Sequence, residues 1–163
     1  MMPTTQEGTP MRIARRMITV AAILATALIA ADPYVGTWKL DPAKSKYKTG
    51  TPPKDQTVTI TESGGELHIV VKATAGDGSP VSSHFVVPAG GGTGKVVESK
   101  AYDGISGKRV SPNERETSYL KGGKAVYTVH SKVSADGKTL NTSVKGLNAT
   151  GQMVEGTSVM TRQ

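Results

Sequence analysis

The chain has 163 residues, a formal net charge of +7 and no cysteine. That length suits one domain with one core. The absence of cysteine excludes a disulfide scaffold and any thiolate-held metal or cluster. The basic balance invites an anionic partner, yet Lys39, Lys54, Lys72, Lys95, Lys108, Lys124 and Lys138 are scattered along the chain. Lysines spaced one per segment are what solvated faces and guarded strand edges require, and they argue against the clustered footprint of a nucleic-acid binder.

Residues 1–31 read as a secretory signal peptide. Arg12, Arg15 and Arg16 form a basic start, and Met17 to Ala31 form an apolar run ending in small residues. Met11 offers a second start site. The apolar run is 15 residues long, short of the roughly 20 that cross a bilayer as a helix. The expectation is cleavage after Ala30 or Ala31 and export to the periplasm or the exterior, with no stable membrane span remaining. Without its leader the chain keeps 17 basic and 12 acidic residues, a balance of +5.

The mature part, residues 32–163, opens on "DPYVGTWKLD", which contains the sole tryptophan, Trp38. A Pro- and Lys-rich stretch follows, with Lys44, Lys46 and Lys48 as the one basic cluster. Next come "QTVTITE" and "ELHIVVKAT", joined by "SGG". In the first, Val58 and Ile60 alternate with threonines. In the second, Leu67, Ile69 and Val71 oppose His68, Val70 and Lys72. Period-two alternation with one wet face is the signature of antiparallel sheet. "AGDGSP" and "PAGGGTG" flank the segment containing "SSHF", and "KVVES" reads as another strand. "YDGISG", "SPNE", "KGGK", "ADGK" and "NATGQ" mark further turns, because Gly and Asn supply the positive φ that tight hairpins demand. In "KAVYTVHSKV", Ala125, Tyr127, Val129 and Val133 are predicted to face opposite to Val126, Thr128, His130 and Lys132. Hairpin succeeds hairpin with no long crossover. The fold class is therefore all-β: an antiparallel up-and-down meander closing into a barrel of about 8–10 strands, since closure removes the edges.

The chemistry-bearing patterns are weak. "AGGGTGKV" at 89–96 approaches the phosphate-binding loop spacing, but Val96 stands where Ser or Thr should bind magnesium, and a strand follows where a helix is needed. His68, His84 and His130 lack the short paired spacing of a zinc site. Ser83 and His84 are adjacent on a strand and point to opposite faces, so they cannot pair as nucleophile and base. Glu114 and Glu116 share a strand face, where cross-strand pairing with a base is the plain expectation. The glycosylation-like "NTS" and "NAT" at 141 and 148 read as strand and turn residues. No catalytic residue, metal site or cofactor is predicted.

"VGTWKLD" resembles the Gly-x-Trp signature of lipocalins and their calycin relatives. Together with "PAKSKY", "VTIT", "SADGKTL", "SVKG", "ATGQ" and a last strand ending near Arg162, it makes the mature chain similar to small exported lipocalin-like proteins of bacteria. The resemblance implies an up-and-down barrel able to hold a small apolar molecule. It also implies that the tryptophan, Trp38, packs across the closed end against an arginine near the final strand, Arg162. Gly36 would allow close backbone approach there. The chain departs from the pattern in ending at Gln163 with no C-terminal helix.

The functional expectation is a non-catalytic barrel that binds a small, largely apolar ligand. A barrel of this size can be filled by side chains or hold one small ligand. Its predicted lining is Val58, Ile60, Leu67, Ile69, Val71, Phe85, Tyr127 and Val129, with Gly36, Trp38 and Arg162 plugging the end. The rival expectation is a solid envelope module that contacts an anionic envelope polymer through Lys44, Lys46 and Lys48.

Overall fold

A computed structural model describes residues 31–163; the predicted leader, but for Ala31, lies outside the described residues. Eleven strands follow one another, all antiparallel to their neighbours, and no helix occurs among the described residues. They are β1 (Gly36–Thr49), β2 (Asp55–Ser63), β3 (Glu66–Thr74), β4 (Pro80–Pro88), β5 (Gly91–Thr93) and β6 (Lys95–Glu98). The remainder are β7 (Gly104–Ser111), β8 (Glu114–Lys121), β9 (Lys124–Val133), β10 (Thr139–Leu147) and β11 (Met153–Arg162). The strand order is β5-β7-β8-β9-β10-β11-β1-β2-β3-β4-β6. This is a meander in which the last strand returns to pair with the first, Trp38 lying opposite Arg162.

Sequence alternation sets the inward face. In β10, Leu140, Thr142 and Val144 are buried, while Asn141, Ser143 and Lys145 are exposed. The core gathers Trp38, Leu40, Val58, Ile60, Leu67, Phe85, Ile105, Val133, Leu140 and Met160. Two hairpins turn on Gly-Gly pairs, Gly64-Gly65 and Gly122-Gly123, all four glycines with φ between 59° and 77°. Such angles at both central positions match the two-residue turns that follow strand twist.

The strand count exceeds the expected range because one segment is divided. Residues 91–98, whose first part was expected to be a loop, run along the gap between β4 and β7. The first three residues pair with β7 as β5. The last four pair with β4 as β6. Gly94, between them, donates its N–H to the Ile105 carbonyl at 2.8 Å. The two ends of the sheet are thus successive pieces of one strand, and the barrel nearly closes on itself. A Cβ at Gly94 would collide with the Val86 carbonyl oxygen and with Val87 and Ile105 side chains. Only glycine lets the chain pass from one wall to the other here.

One stretch corrects the predicted parity. In β9, Ala125 is exposed and Val126 packs against the core, the reverse of the expected alternation. A register shift lies between Tyr119 and Leu120, which pair with Tyr127 and Ala125. The extra residue on β9 is a β-bulge, and it swaps faces on its far side. Tyr127 and Val129, before the swap, keep their predicted inward positions.

Replacing Gly94 with Ala should lower stability by about 1–3 kcal/mol, the range for forcing volume into a packed site. Gly90→Ala, where nothing lies within 4 Å of the added carbon, should stay within about 0.5 kcal/mol. Urea midpoints of the two variants check this; equal midpoints would contradict the joint assigned to Gly94.

Candidate functional site

The end of the barrel where β1 begins is closed by one stacked pair. Trp38 is fully buried, and the Arg162 guanidinium lies 4.2 Å from its ring centroid. The indole N–H donates to the Tyr34 carbonyl at 2.8 Å. Arg162 fans its donors over three carbonyls: Gly137 at 2.6 Å, Val35 at 2.5 Å and Pro33 at 2.7 Å. Gly36 adopts φ 145°, and Arg162 occupies the space a Cβ there would need. The arginine thereby joins the entering chain, the β9–β10 turn and the indole. A cation over an indole face contributes about 0.5–2 kcal/mol, more as it is withdrawn from water.

Beside this plug sits a buried ionic group. Asp32 Oδ2 accepts from Arg115 Nη2 at 2.6 Å and from Arg109 Nη1 at 2.9 Å. Asp32 Oδ1 accepts from the Tyr34 N–H at 3.0 Å. The Arg115 side chain is 7% exposed and that of Arg109 31%. Arg115 also lies over the Tyr34 ring, 5.2 Å from its centroid. Its Nε is buried without a hydrogen-bond partner. A buried donor left unpaired costs about 1–3 kcal/mol. Tyr34 is anchored in turn, its hydroxyl donating to the Ser131 carbonyl at 2.6 Å.

Above this floor the barrel holds a cavity of about 200 Å³. Val58, Ile60, Leu67, Ile69, Val71, Phe85, Tyr127 and Val129 are among the residues that line it. Tyr34, Tyr47, Tyr102, Tyr119 and Arg115 line it as well. Phe85, Tyr102, Tyr119 and Tyr127 form one ring cluster. Tyr119 meets Phe85 edge-on at 5.1 Å, and Tyr102 stacks parallel to Tyr127 at 6.2 Å. Tyr102 reaches in from the loop between β6 and β7, and its hydroxyl donates to the Leu147 carbonyl at 3.0 Å. On the β10–β11 wall, the buried hydroxyls of Thr142 and Ser158 bond each other at 2.5 Å. The site is an apolar, ring-rich chamber with a few hydroxyls on its wall and a guanidinium at its base.

Burial raises the pKa of every tyrosine. Desolvation is the leading cause at Tyr34, Tyr47, Tyr102, Tyr119 and Tyr127, and Tyr119 is pushed up to about 12. At Tyr102 and Tyr127 neighbouring phenols add to the effect.

The outward residues match the plainer readings. His130 Nε2 lies 3.0 Å from Glu116, and Lys132 lies 3.8 Å from Glu114, both across the β8–β9 pair. Ser83 lines the cavity while His84 does not, as their adjacency requires. His68 and His84 have ring centroids 5.6 Å apart, but among the described residues no three metal-binding side chains converge. No helix among them is long and apolar enough to cross a membrane.

Sequence reasoning missed the Asp32–Arg115 pair. The signal was present in parity. Arg115, Thr117 and Tyr119 fall on one face of β8, so an inward Tyr119 brings Arg115 inward too. Asp32 was read only as the first residue after the leader. No protein-family model and no curated protein matches the chain.

The tyrosines generate a pH dependence. Unfolded phenols ionise near 10 while the folded ones hold their protons, so between about 10 and 12 the unfolded state binds fewer protons and stability falls as pH rises. The contribution is whole below pH 10. Tyrosinate absorbance of the native protein should therefore stay low through pH 10 and rise together with loss of the sheet signal. Ionisation of several tyrosines near pH 10 in the folded protein would contradict their burial.

Proposed function

We propose that this chain is a lipocalin-like barrel that binds one small, largely apolar molecule in its interior and performs no chemistry on it. The supporting observation is the ring-lined chamber of about 200 Å³. Small-molecule sites commonly measure about 300–1,000 Å³, so this chamber suits a small occupant. An apolar cavity of roughly 150 Å³ takes up benzene. By that scale the ligand has about eight to ten non-hydrogen atoms: a single substituted ring or a short alkyl chain rather than a long fatty acid. The Gly-x-Trp start with its arginine partner supports the lipocalin-like reading, as does the strand order.

A binding role is supported by the lining itself, which is made mostly of aliphatic and aromatic side chains. The envelope-contact reading has less behind it. Lys44 is paired with Asp41 at 3.0 Å, and Lys48 shares Glu155 with Lys145.

A panel of 1-octanol, benzyl alcohol and octanoate, followed by melting temperature and by tyrosine and Trp38 emission, tests the proposal. At least one member should raise Tm through linkage, by about 2.7 kcal/mol of stability at a hundredfold excess over Kd. Val129→Phe, which puts a ring into the chamber, should fold and lose the response. A panel without effect on the native protein would sink the reading.

A further inference from the structure

We infer that Arg115 is an anchor for an anionic head group, so that the interior ligand is a small carboxylate with an apolar body. This rests on the interior-binding reading above and deepens it by naming the ligand class.

Beside the Trp38–Arg162 plug, the base of the barrel holds two further guanidiniums, Arg109 and Arg115, and one carboxylate, Asp32. Arg109 is partly solvated and also bonds the Pro112 carbonyl at 3.1 Å. Arg115 is the buried member, and it lines the cavity. Asp32 Oδ2 serves both guanidiniums, and Asp32 Oδ1 is engaged by the Tyr34 amide. One carboxylate therefore cannot satisfy both arginines, and the base retains a net positive charge. The excess shows as the unpartnered Arg115 Nε. A guanidinium presents a planar fork of donors that fits a carboxylate. A buried, incompletely paired guanidinium is costly unless further acceptors reach it. A ligand carboxylate would supply them.

The geometry above Arg115 fits the body of such a molecule. Arg115, Thr117 and Tyr119 are successive inward residues on β8, and all three line the cavity. From Arg115 to Tyr119 is about 13 Å, four residues at roughly 3.3 Å each. A head group at Arg115 would place an alkyl or aryl body along Thr117, with its far end at the tyrosine rings. The hydroxyls of Thr142 and Ser158 bond each other, and no other guanidinium is buried against the cavity among the described residues. The anchor is consequently at the base, with the apolar end toward the Tyr102 loop.

The test is a head-group series on the native protein: octanoate, 1-octanol and octylammonium, compared by titration calorimetry and Tm shift. Octanoate should bind roughly ten- to hundredfold tighter than octanol, the range of a charge-assisted hydrogen bond, and octylammonium weakest. The variant is Arg115→Met combined with Asp32→Asn, which leaves no carboxylate stranded. It should abolish the preference, so that octanoate and octanol bind the variant alike. Octanol binding as tightly as octanoate in the native protein overturns the anchor but leaves the interior site standing. An octanoate preference that survives in the double variant overturns the assignment to Arg115. Failure of both octanoate and octanol to bind overturns the interior-binding reading and the anchor with it.

Discussion

The stack of Arg162 on Trp38 is the constraint from which the rest of the barrel follows. It lies where the first strand meets the last, and a meander can become a barrel only where those two meet. Packing alone would bury the indole. The arginine adds connection, because its three donors take carbonyls from the entering chain and from the β9–β10 turn. Those carbonyls sit at a crowded end where strand pairing cannot serve them, and an unpaired buried carbonyl is costly. Glycine at position 36 is the concession the backbone makes to bring the guanidinium close.

The opposite seam is solved differently. Between β4 and β7 no long strand completes the ring. A single segment divides its hydrogen bonds between the two walls and changes sides at Gly94. The wall beside this seam is thin in side chains, with Gly107 facing Val87. A floor fixed by one cation–π pair and a wall finished by a shared strand leave an interior that few large residues can fill. The cavity results from that shortage of bulk, and the ring cluster of Phe85, Tyr102, Tyr119 and Tyr127 lines it without filling it.

Much of this was legible in the residues. Alternation placed Val58, Ile60, Leu67, Ile69 and Val71 inward, because a strand has only two faces and threonine, lysine and histidine mark the wet one. The tryptophan and its arginine were legible through a resemblance, not through periodicity. What stayed hidden had physical causes. The β9 bulge that exchanges Ala125 and Val126 depends on a mismatch with β8, which no single strand reveals. The division of residues 91–98 depends on the width of the gap left by the other strands. The Asp32–Arg115 pair joins residues 83 apart in sequence, and charged residues on a strand are read as outward unless a partner is known. Parity from Tyr119 would have placed Arg115 inside, but it could not have supplied Asp32.

The central claim is that Trp38 is sealed beneath Arg162 at the closed end. Because Trp38 is the sole indole, quenching of its emission by iodide measures that directly. The account predicts a blue-shifted emission in the folded protein that iodide scarcely quenches, with full quenching appearing only as the sheet unfolds in denaturant. Quenching in the native protein comparable to that of free tryptophan would contradict it.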